Sequence, residues 1–162
     1  MSADFLVRRA LDTDVRAIFE LLEPYAEAGI VLRRSEADIL SYIRNFRVAL
    51  CGSRLCGCVA VRDFGASLLE VRSLVVERAF HGQGVGRLLV EFVINDLRTT
   101  RPDEKWHLFT LTGQPGFFQR LGFKIVSKEM FPEKIWSDCS KCPKQHCCDE
   151  TALLFDTSAP EI

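Results

Sequence analysis

No stretch of this chain approaches the ~20 consecutive apolar residues that a bilayer-spanning helix needs, so no such helix is expected. An excess of one charge is also missing. The 21 Lys and Arg stand against 22 Asp and Glu, for a net charge of −1 and a pI of about 6.3. That balance argues against a nucleic-acid surface as the main partner. The opening Met1-Ser2-Ala3-Asp4-Phe5 has no basic region ahead of an apolar stretch. A secretory signal is therefore not expected, and the cytoplasm is the expected compartment. Repeats, low-complexity tracts and linkers are lacking, which favours one α+β domain over 1–162. Tyrosine is scarce, with only Tyr25 and Tyr42. What the chain does have is 162 residues, 48% of them hydrophobic and 12 of them Phe, enough for a sizeable core. In a cytosolic setting its seven cysteines read as reduced thiols or metal ligands rather than disulfides.

Hydropathy patterning gives the order of elements. Residues 5–10 read as a strand. Asp12 can cap a helix whose apolar positions are Val15, Ile18, Phe19 and Leu22, weakened or ended over 24–29 by Pro24 and Gly29. Ser35-Glu36-Ala37-Asp38 resembles a capping box and predicts a second helix carrying Ile39, Leu40, Ile43 and Phe46. Strands over 48–51 and 55–61 flank the hairpin signal Gly52-Ser53, and a third follows over 68–76. Val85, Leu88, Leu89, Phe92, Val93 and Leu97 recur at helical spacing. Residues 106–112 read as a strand, 114–122 as a short helix ended by Gly122, and 123–126 and 151–155 as further strands.

The most informative run is His81-Gly82-Gln83-Gly84-Val85-Gly86-Arg87, set between the apolar segment Ser73-Leu74-Val75-Val76 and the amphipathic helix. Three glycines at alternating positions strip side chains from a strand-to-helix turn. Backbone N–H groups can then converge on an anion, and the helix adds its positive dipole end. The turn is suited to a phosphate or pyrophosphate; the bland alternative is a tight turn without a ligand. A dinucleotide-binding reading fails on glycine spacing and on the hairpin meander that precedes the turn.

Taken together, the element order and the glycine turn resemble the GNAT acetyltransferases. Their fold is a central mixed, mostly antiparallel sheet flanked by helices. His81, Gly84 and Gly86 stand at the positions of the family's Arg/Gln-x-x-Gly-x-Gly/Ala signature for acetyl-CoA, with His81 departing from the usual first residue. Phe117-Phe118-Gln119-Arg120-Leu121-Gly122-Phe123 is similar to the family's second hallmark, a helix and strand flanking the CoA thiol. Ile30-Val31-Leu32-Arg33-Arg34-Ser35, Leu69-Glu70-Val71-Arg72-Ser73-Leu74 and the tail from Phe131 to Glu150 look like short-form N-acetylglutamate synthases. The long form carries an amino-acid-kinase domain with an arginine feedback site, which is absent from these 162 residues.

The resemblance implies acetyl-CoA as co-substrate, L-glutamate as acceptor, arginine biosynthesis as setting, and a homodimer as one option. The pyrophosphate would sit on Gly82, Gln83, Gly84, Val85, Gly86 and Arg87, with Arg87 or His81 adding positive charge. Pantetheine would pair with the backbone of Leu74, Val75 and Val76, and Phe117, Phe118 and Arg120 would flank the thiol end. Glu70 is the candidate base, against the bland reading of a solvated strand carboxylate. The synthases place a Glu at the matching position. Thr112 is a weaker candidate for positioning the thiol or substrate. Many GNAT enzymes protonate the departing thiolate with a Tyr where this chain has Phe117 and Phe118, so the general acid is unassigned. Arg33, Arg34 and Arg72 are the cations available for glutamate's two carboxylates, with one of Arg33 and Arg34 expected to bind and the other to be solvated. Ser73 matches a substrate-contacting position. A further C-terminal Arg of the long-form synthases is missing from Cys148-Asp149-Glu150-Thr151. That keeps another amine open as acceptor: glutamine, another amino acid, a polyamine or a protein N-terminus. A CoA-binding module without catalysis is the reading from a different class.

Cys139-x-x-Cys142 followed by His146, Cys147 and Cys148 has partial zinc-ligand spacing. The second paired CxxC is lacking, so thiols packing a loop are the favoured reading and structural zinc the lesser one.

Overall fold

A computed structural model describes residues 4–131 and 150–155. It contains seven strands, β1 (Phe5–Arg9), β2 (Phe46–Cys51), β3 (Arg54–Asp63), β4 (Leu68–Val76), β5 (His107–Thr112), β6 (Phe123–Val126) and β7 (Thr151–Phe155). They form one mixed sheet in the order β1-β2-β3-β4-β5-β7-β6, flanked by helices α1 (Val15–Glu27), α2 (Glu36–Ser41), α3 (Val85–Thr100) and α4 (Pro115–Gln119). The expected α+β architecture is what the chain adopts. The chain divides into two compact units. Among the described residues, one comprises 4–61 and Ser73–Thr100, the other Arg62–Arg72, 101–131 and 150–155. Among the described residues no helix is long and apolar enough to cross a membrane.

In the first unit β1 pairs antiparallel with β2, Phe5 opposite Cys51 and Arg9 opposite Arg47. The β2–β3 hairpin closes through Gly52-Ser53, where Gly52 takes a φ of 61°. α1 runs through Pro24 rather than ending there. Proline removes one donor to the carbonyl four residues earlier, that of Glu20, whose residue is exposed; the helix resumes as Ala28 N–H reaches the Pro24 carbonyl at 3.1 Å. The Ser35 hydroxyl accepts from Asp38 N–H at 3.1 Å and Asp38 accepts from Ser35 N–H at 3.4 Å, so the capping box forms. The second helix is shorter than its pattern suggested. Tyr42 leaves helical geometry at φ −113° and ψ 21°, a 3-10 turn takes Ile43–Asn45, and Phe46 opens β2. Ile39, Ile43 and Phe46 still share a core with Val15, Ile18, Leu22, Val48, Cys58, Ala60 and Val75.

α3 buries Val85, Leu89, Val90, Val93, Ile94 and Leu97. Each such side chain contributes about 1.5–3 kcal/mol when fully removed from water. Asp96 fixes the outer part of this helix by accepting from Arg9 of β1 at 2.7 Å and from Arg47 of β2 at 3.0 Å. Gly57 of β3 sets how closely the helix start approaches. A Cβ there would stand 3.1 Å from both Leu89 Cδ1 and Val85 Cγ1, and 3.3 Å from the Val75 carbonyl oxygen.

In the second unit the first half of β4 pairs parallel with β5, Leu68 opposite His107 and Glu70 opposite Phe109. β7 lies antiparallel between β5 and β6. Phe109, Phe131 and Ala152 form one core cluster with Phe64, Leu68, Leu111, Val126 and Leu154, and the Phe109 and Phe131 rings stack at 4.4 Å. The helix expected over 114–122 is only Pro115–Gln119. Pro115 starts it, and Gly122, at a φ of 97°, carries the chain into β6.

Candidate active site

The strand–turn–helix run lies in the first unit. β4 does not stay regular: Ser73 adopts a φ of 51°, a left-handed value that costs a non-glycine residue about 1–2 kcal/mol. A single such residue re-aims the backbone groups beside it, as in a β-bulge. Cys58 of β3 donates its thiol hydrogen to the Ser73 carbonyl at 3.4 Å. Burial pushes that thiol up to about 12, opposed by a Val75 backbone hydrogen bond. It stays protonated and so serves as a donor beside the kink.

Beyond Ser73 the strand continues through Leu74, Val75 and Val76, with Val75 buried and its neighbours half-buried. The Val76 carbonyl accepts two side-chain bonds, from the Tyr25 hydroxyl of α1 at 3.0 Å and from His81 Nε2 at 2.7 Å. Tyr25 Oη and His81 Nε2 are themselves 3.4 Å apart. A carbonyl carries no hydrogen, so His81 Nε2 carries the one that is shared. A 3-10 turn over Arg78–Phe80 follows, fixed at its start by Glu77 N–H to the Cys56 carbonyl at 2.8 Å and by an Arg54–Glu77 ion pair.

His81, Gly82, Gln83 and Gly84 are all exposed. Gly82 and Gly84 have φ values of 79° and 82°, with nothing within 4 Å of the position a Cβ would take. The demand for glycine is therefore conformational rather than steric. Leu88 N–H bonds the Gly84 carbonyl at 3.1 Å, so the N–H groups of Val85, Gly86 and Arg87 precede the first intrahelical bond. Such N–H groups at the positive end of a 16-residue helix suit an anion. Side-chain charge is less available than the sequence implied. Arg87 is ion-paired with Glu91 one turn on, and His81 is engaged by Val76.

The second unit holds the candidate acid–base groups. Glu70 is buried, only 5% exposed, which removes the reading of a solvated strand carboxylate. Arg72, two residues along β4 and so on the same side of the strand, donates from Nε to Glu70 Oε1 at 2.7 Å. The sequence assigned these two residues separately; they form one ion pair, with Glu70 buried and Arg72 half-buried. Thr110 of β5 donates its hydroxyl to the Val71 carbonyl at 3.1 Å. Thr112 accepts from Gln114 N–H at 2.9 Å, so it shapes the turn into α4. Phe118 is buried and Phe117 half-buried, their rings edge-on at 5.0 Å, while Arg120 is exposed at the helix end.

Of the expected acceptor residues, Arg33 is exposed and ion-paired with Glu23 of α1, and Arg34 is half-buried. Ser73 is the kink itself. The zinc candidates Cys139, Cys142, His146, Cys147 and Cys148 lie outside the described residues; among those described, no group of three or more His, Cys, Asp or Glu could hold a metal. Sequence reasoning missed Tyr25 and Cys58. Tyr25 stands seven residues after Ile18 and three after Leu22, the spacing of the buried face of α1, and that was the available signal.

Comparison with known proteins places this geometry. Residues 43–125 match the acetyltransferase (GNAT) domain. An uncharacterized N-acetyltransferase of Chlorobaculum tepidum is 43% identical over 153 residues, spanning 94% of this chain and 97% of that protein. The amino-acid acetyltransferase of Mycobacterium tuberculosis is 33% identical over 137 residues, covering 79% of this chain and 76% of its own length. Among solved structures, the N-acetylglutamate synthase of Neisseria gonorrhoeae complexed with coenzyme A and N-acetyl-glutamate aligns with a TM-score of 0.82 at 25% identity. The alignment covers 96% of this chain and 35% of that one.

Proposed function

Because this chain belongs to the GNAT family of acetyl-CoA-dependent N-acetyltransferases, we propose that it acetylates the α-amine of an amino acid, L-glutamate, by direct transfer, as a cytoplasmic step of arginine biosynthesis. The observation that carries the chemistry is the buried Glu70 held by Arg72. The acceptor is suggested by the relative named amino-acid acetyltransferase and by the neighbour solved with N-acetyl-glutamate.

The exposed Gly82–Gly84 turn and the N–H groups of Val85, Gly86 and Arg87 fit a pyrophosphate, and the backbone of Leu74 to Val76 would take the pantetheine arm. When bound, acetyl-CoA supplies an activated acetyl thioester and a thiolate leaving group. Glu70 takes the proton of the ammonium group, directly or through one water, leaving a neutral nitrogen with a free lone pair. That nitrogen would bond the carbonyl carbon, the carbon–sulfur bond would break with its electron pair leaving on sulfur, and the surplus proton on the nitrogen would pass to the thiolate to give the free thiol. A backbone N–H near Val75 or Val76 would hold the carbonyl oxygen as charge develops there. Arg72 orients the Glu70 carboxylate. Arg33, freed from Glu23, and Arg34 would take the acceptor's carboxylates, with Ser73 beside them. Phe117, Phe118 and Arg120 would flank the thiol, and Thr112 would position it.

Thiol release from acetyl-CoA, followed across the common amino acids and a polyamine, tests the acceptor. Glutamate should exceed every other amine, and turnover equal to an amine-free blank defeats the proposal. The Arg33–Glu23 pair and the lack of Arg over 148–151 favour one second reading, an acceptor with a single carboxylate such as glutamine; the same panel detects it.

A further inference from the structure

We propose that Tyr25 and His81 are positioning residues for CoA that act through the Val76 carbonyl, and that the first residue of the glycine motif does its work there rather than on the phosphates. The inference rests on the reading of the turn as the pyrophosphate cradle and adds a role for two side chains outside it.

Three observations carry it. Both side chains bond the Val76 carbonyl, at 3.0 Å and 2.7 Å, which uses both of its lone pairs. Val76 is the last residue of β4, and His81 is the first residue of the glycine motif, so the bond spans the handover from strand to turn. Tyr25 comes from the last part of α1, which ties that helix to the same point; the Ile30 N–H bonds the Tyr25 carbonyl at 2.9 Å and holds the chain beyond the helix against it. A cationic residue meant for phosphate would present its charge to the open turn, whereas His81 turns its Nε2 back to the strand. A donor is what the position demands, and His supplies one there as Gln or Arg would.

The consequence follows from CoA having two ends. Its pantetheine arm would pair with the strand, and its phosphates would sit on the turn. Binding both at once gains from the two sites being held at one fixed spacing. Loosening the Val76 contact should weaken CoA as a whole while leaving the phosphate end alone nearly as tight on the turn.

The experiment measures KM and kcat for acetyl-CoA, and the inhibition constant of 3′-phosphoadenosine 5′-diphosphate, for the unaltered protein and for Tyr25→Phe, His81→Ala and His81→Gln. His81 is exposed, so its variants should keep the fold, and a thermal melt verifies it. Tyr25→Phe and His81→Ala should raise KM for acetyl-CoA about 5–20-fold with kcat within about 2-fold. The inhibition constant should stay within about 2-fold, and His81→Gln, which keeps a donor, should restore KM. A parallel loss of affinity for the phosphate fragment, an unchanged KM, or failure of His81→Gln to rescue would each overturn the inference while leaving the turn's reading intact. If the unaltered protein binds neither acetyl-CoA nor 3′-phosphoadenosine 5′-diphosphate in a calorimetric titration, the reading of the turn fails and the inference with it.

Discussion

Replacing Gly57 with alanine tests whether the start of α3 is packed against the sheet as tightly as the acetyl-CoA site requires. The added methyl would meet Leu89 Cδ1 and Val85 Cγ1 at 3.1 Å and the Val75 carbonyl oxygen at 3.3 Å. Carbon atoms prefer about 3.5–4.0 Å, so the two carbon contacts are short by roughly 0.4–0.9 Å. Val85 and Leu89 are 1% and 0% exposed, so neither side chain has room to withdraw. Overpacking of this kind costs about 1–3 kcal/mol. Alanine stiffens the unfolded chain and returns about 0.4–1 kcal/mol. The net destabilisation therefore lies between about 0 and 2.6 kcal/mol, and its midpoint of ~1.3 kcal/mol lowers Tm by about 3–5 °C for a chain of this size. In the proposed site the helix start is also the anion-binding end, so KM for acetyl-CoA should rise several-fold while kcat stays close to that of the unaltered protein. Gly57→Val should be worse on both counts. A thermal melt and a steady-state series in acetyl-CoA give both readouts. Unchanged Tm together with unchanged KM for Gly57→Ala would refute the close-packing argument.

Three further predictions follow from named contacts. The Arg8 side chain, which donates to Asp14 at 2.7 Å and 3.2 Å, holds the Asp14 carboxyl below its ordinary value; burial opposes this and a Leu11 N–H bond assists it. A depressed folded value contributes stability above the unfolded value of about 3.9 and loses it as pH falls through the folded one. Asp14→Asn should thus cost about 1–2 kcal/mol near neutrality, with the Tm gap closing below about pH 4; a gap that stays constant with pH would contradict the pairing. Cys58 should resist alkylation in the native protein and react on unfolding, read by peptide mass mapping, and fast native labelling would show that it is not the buried donor assigned to the Ser73 kink. Glu70→Gln should reduce kcat by about 10²–10⁴-fold with little change in CoA affinity, whereas undiminished turnover would remove Glu70 from the role of base.

Much of the framework was legible from periodicity. β4, β6 and β7 fall on the expected residues, because alternation or a short apolar run bounded by turn residues leaves little choice of state. The helix ends were harder. Pro24 is a breaker by propensity, yet α1 passes through it at an exposed part of the helix, one turn after the Glu20 that loses its donor. Ile43 and Phe46 extend a helical pattern from Ile39, but they reach the same core from a 3-10 turn and a strand. At the site, the glycine turn was legible because the left-handed φ of Gly82 and Gly84 is a property of residue type. The left-handed Ser73 was not, since serine gives no warning and its contact with the Cys58 thiol of another strand is set by the fold. The contacts of Tyr25 and Arg72 likewise depend on which residues the fold sets beside them, and spacing alone does not specify that.

The most direct measurement is product identification by mass spectrometry after incubating the protein with acetyl-CoA and L-glutamate. The account predicts N-acetylglutamate formed in step with free CoA, and none in the absence of the protein. Release of CoA with glutamate left unacetylated, or preferential acetylation of a different amine offered in the same mixture, would contradict it.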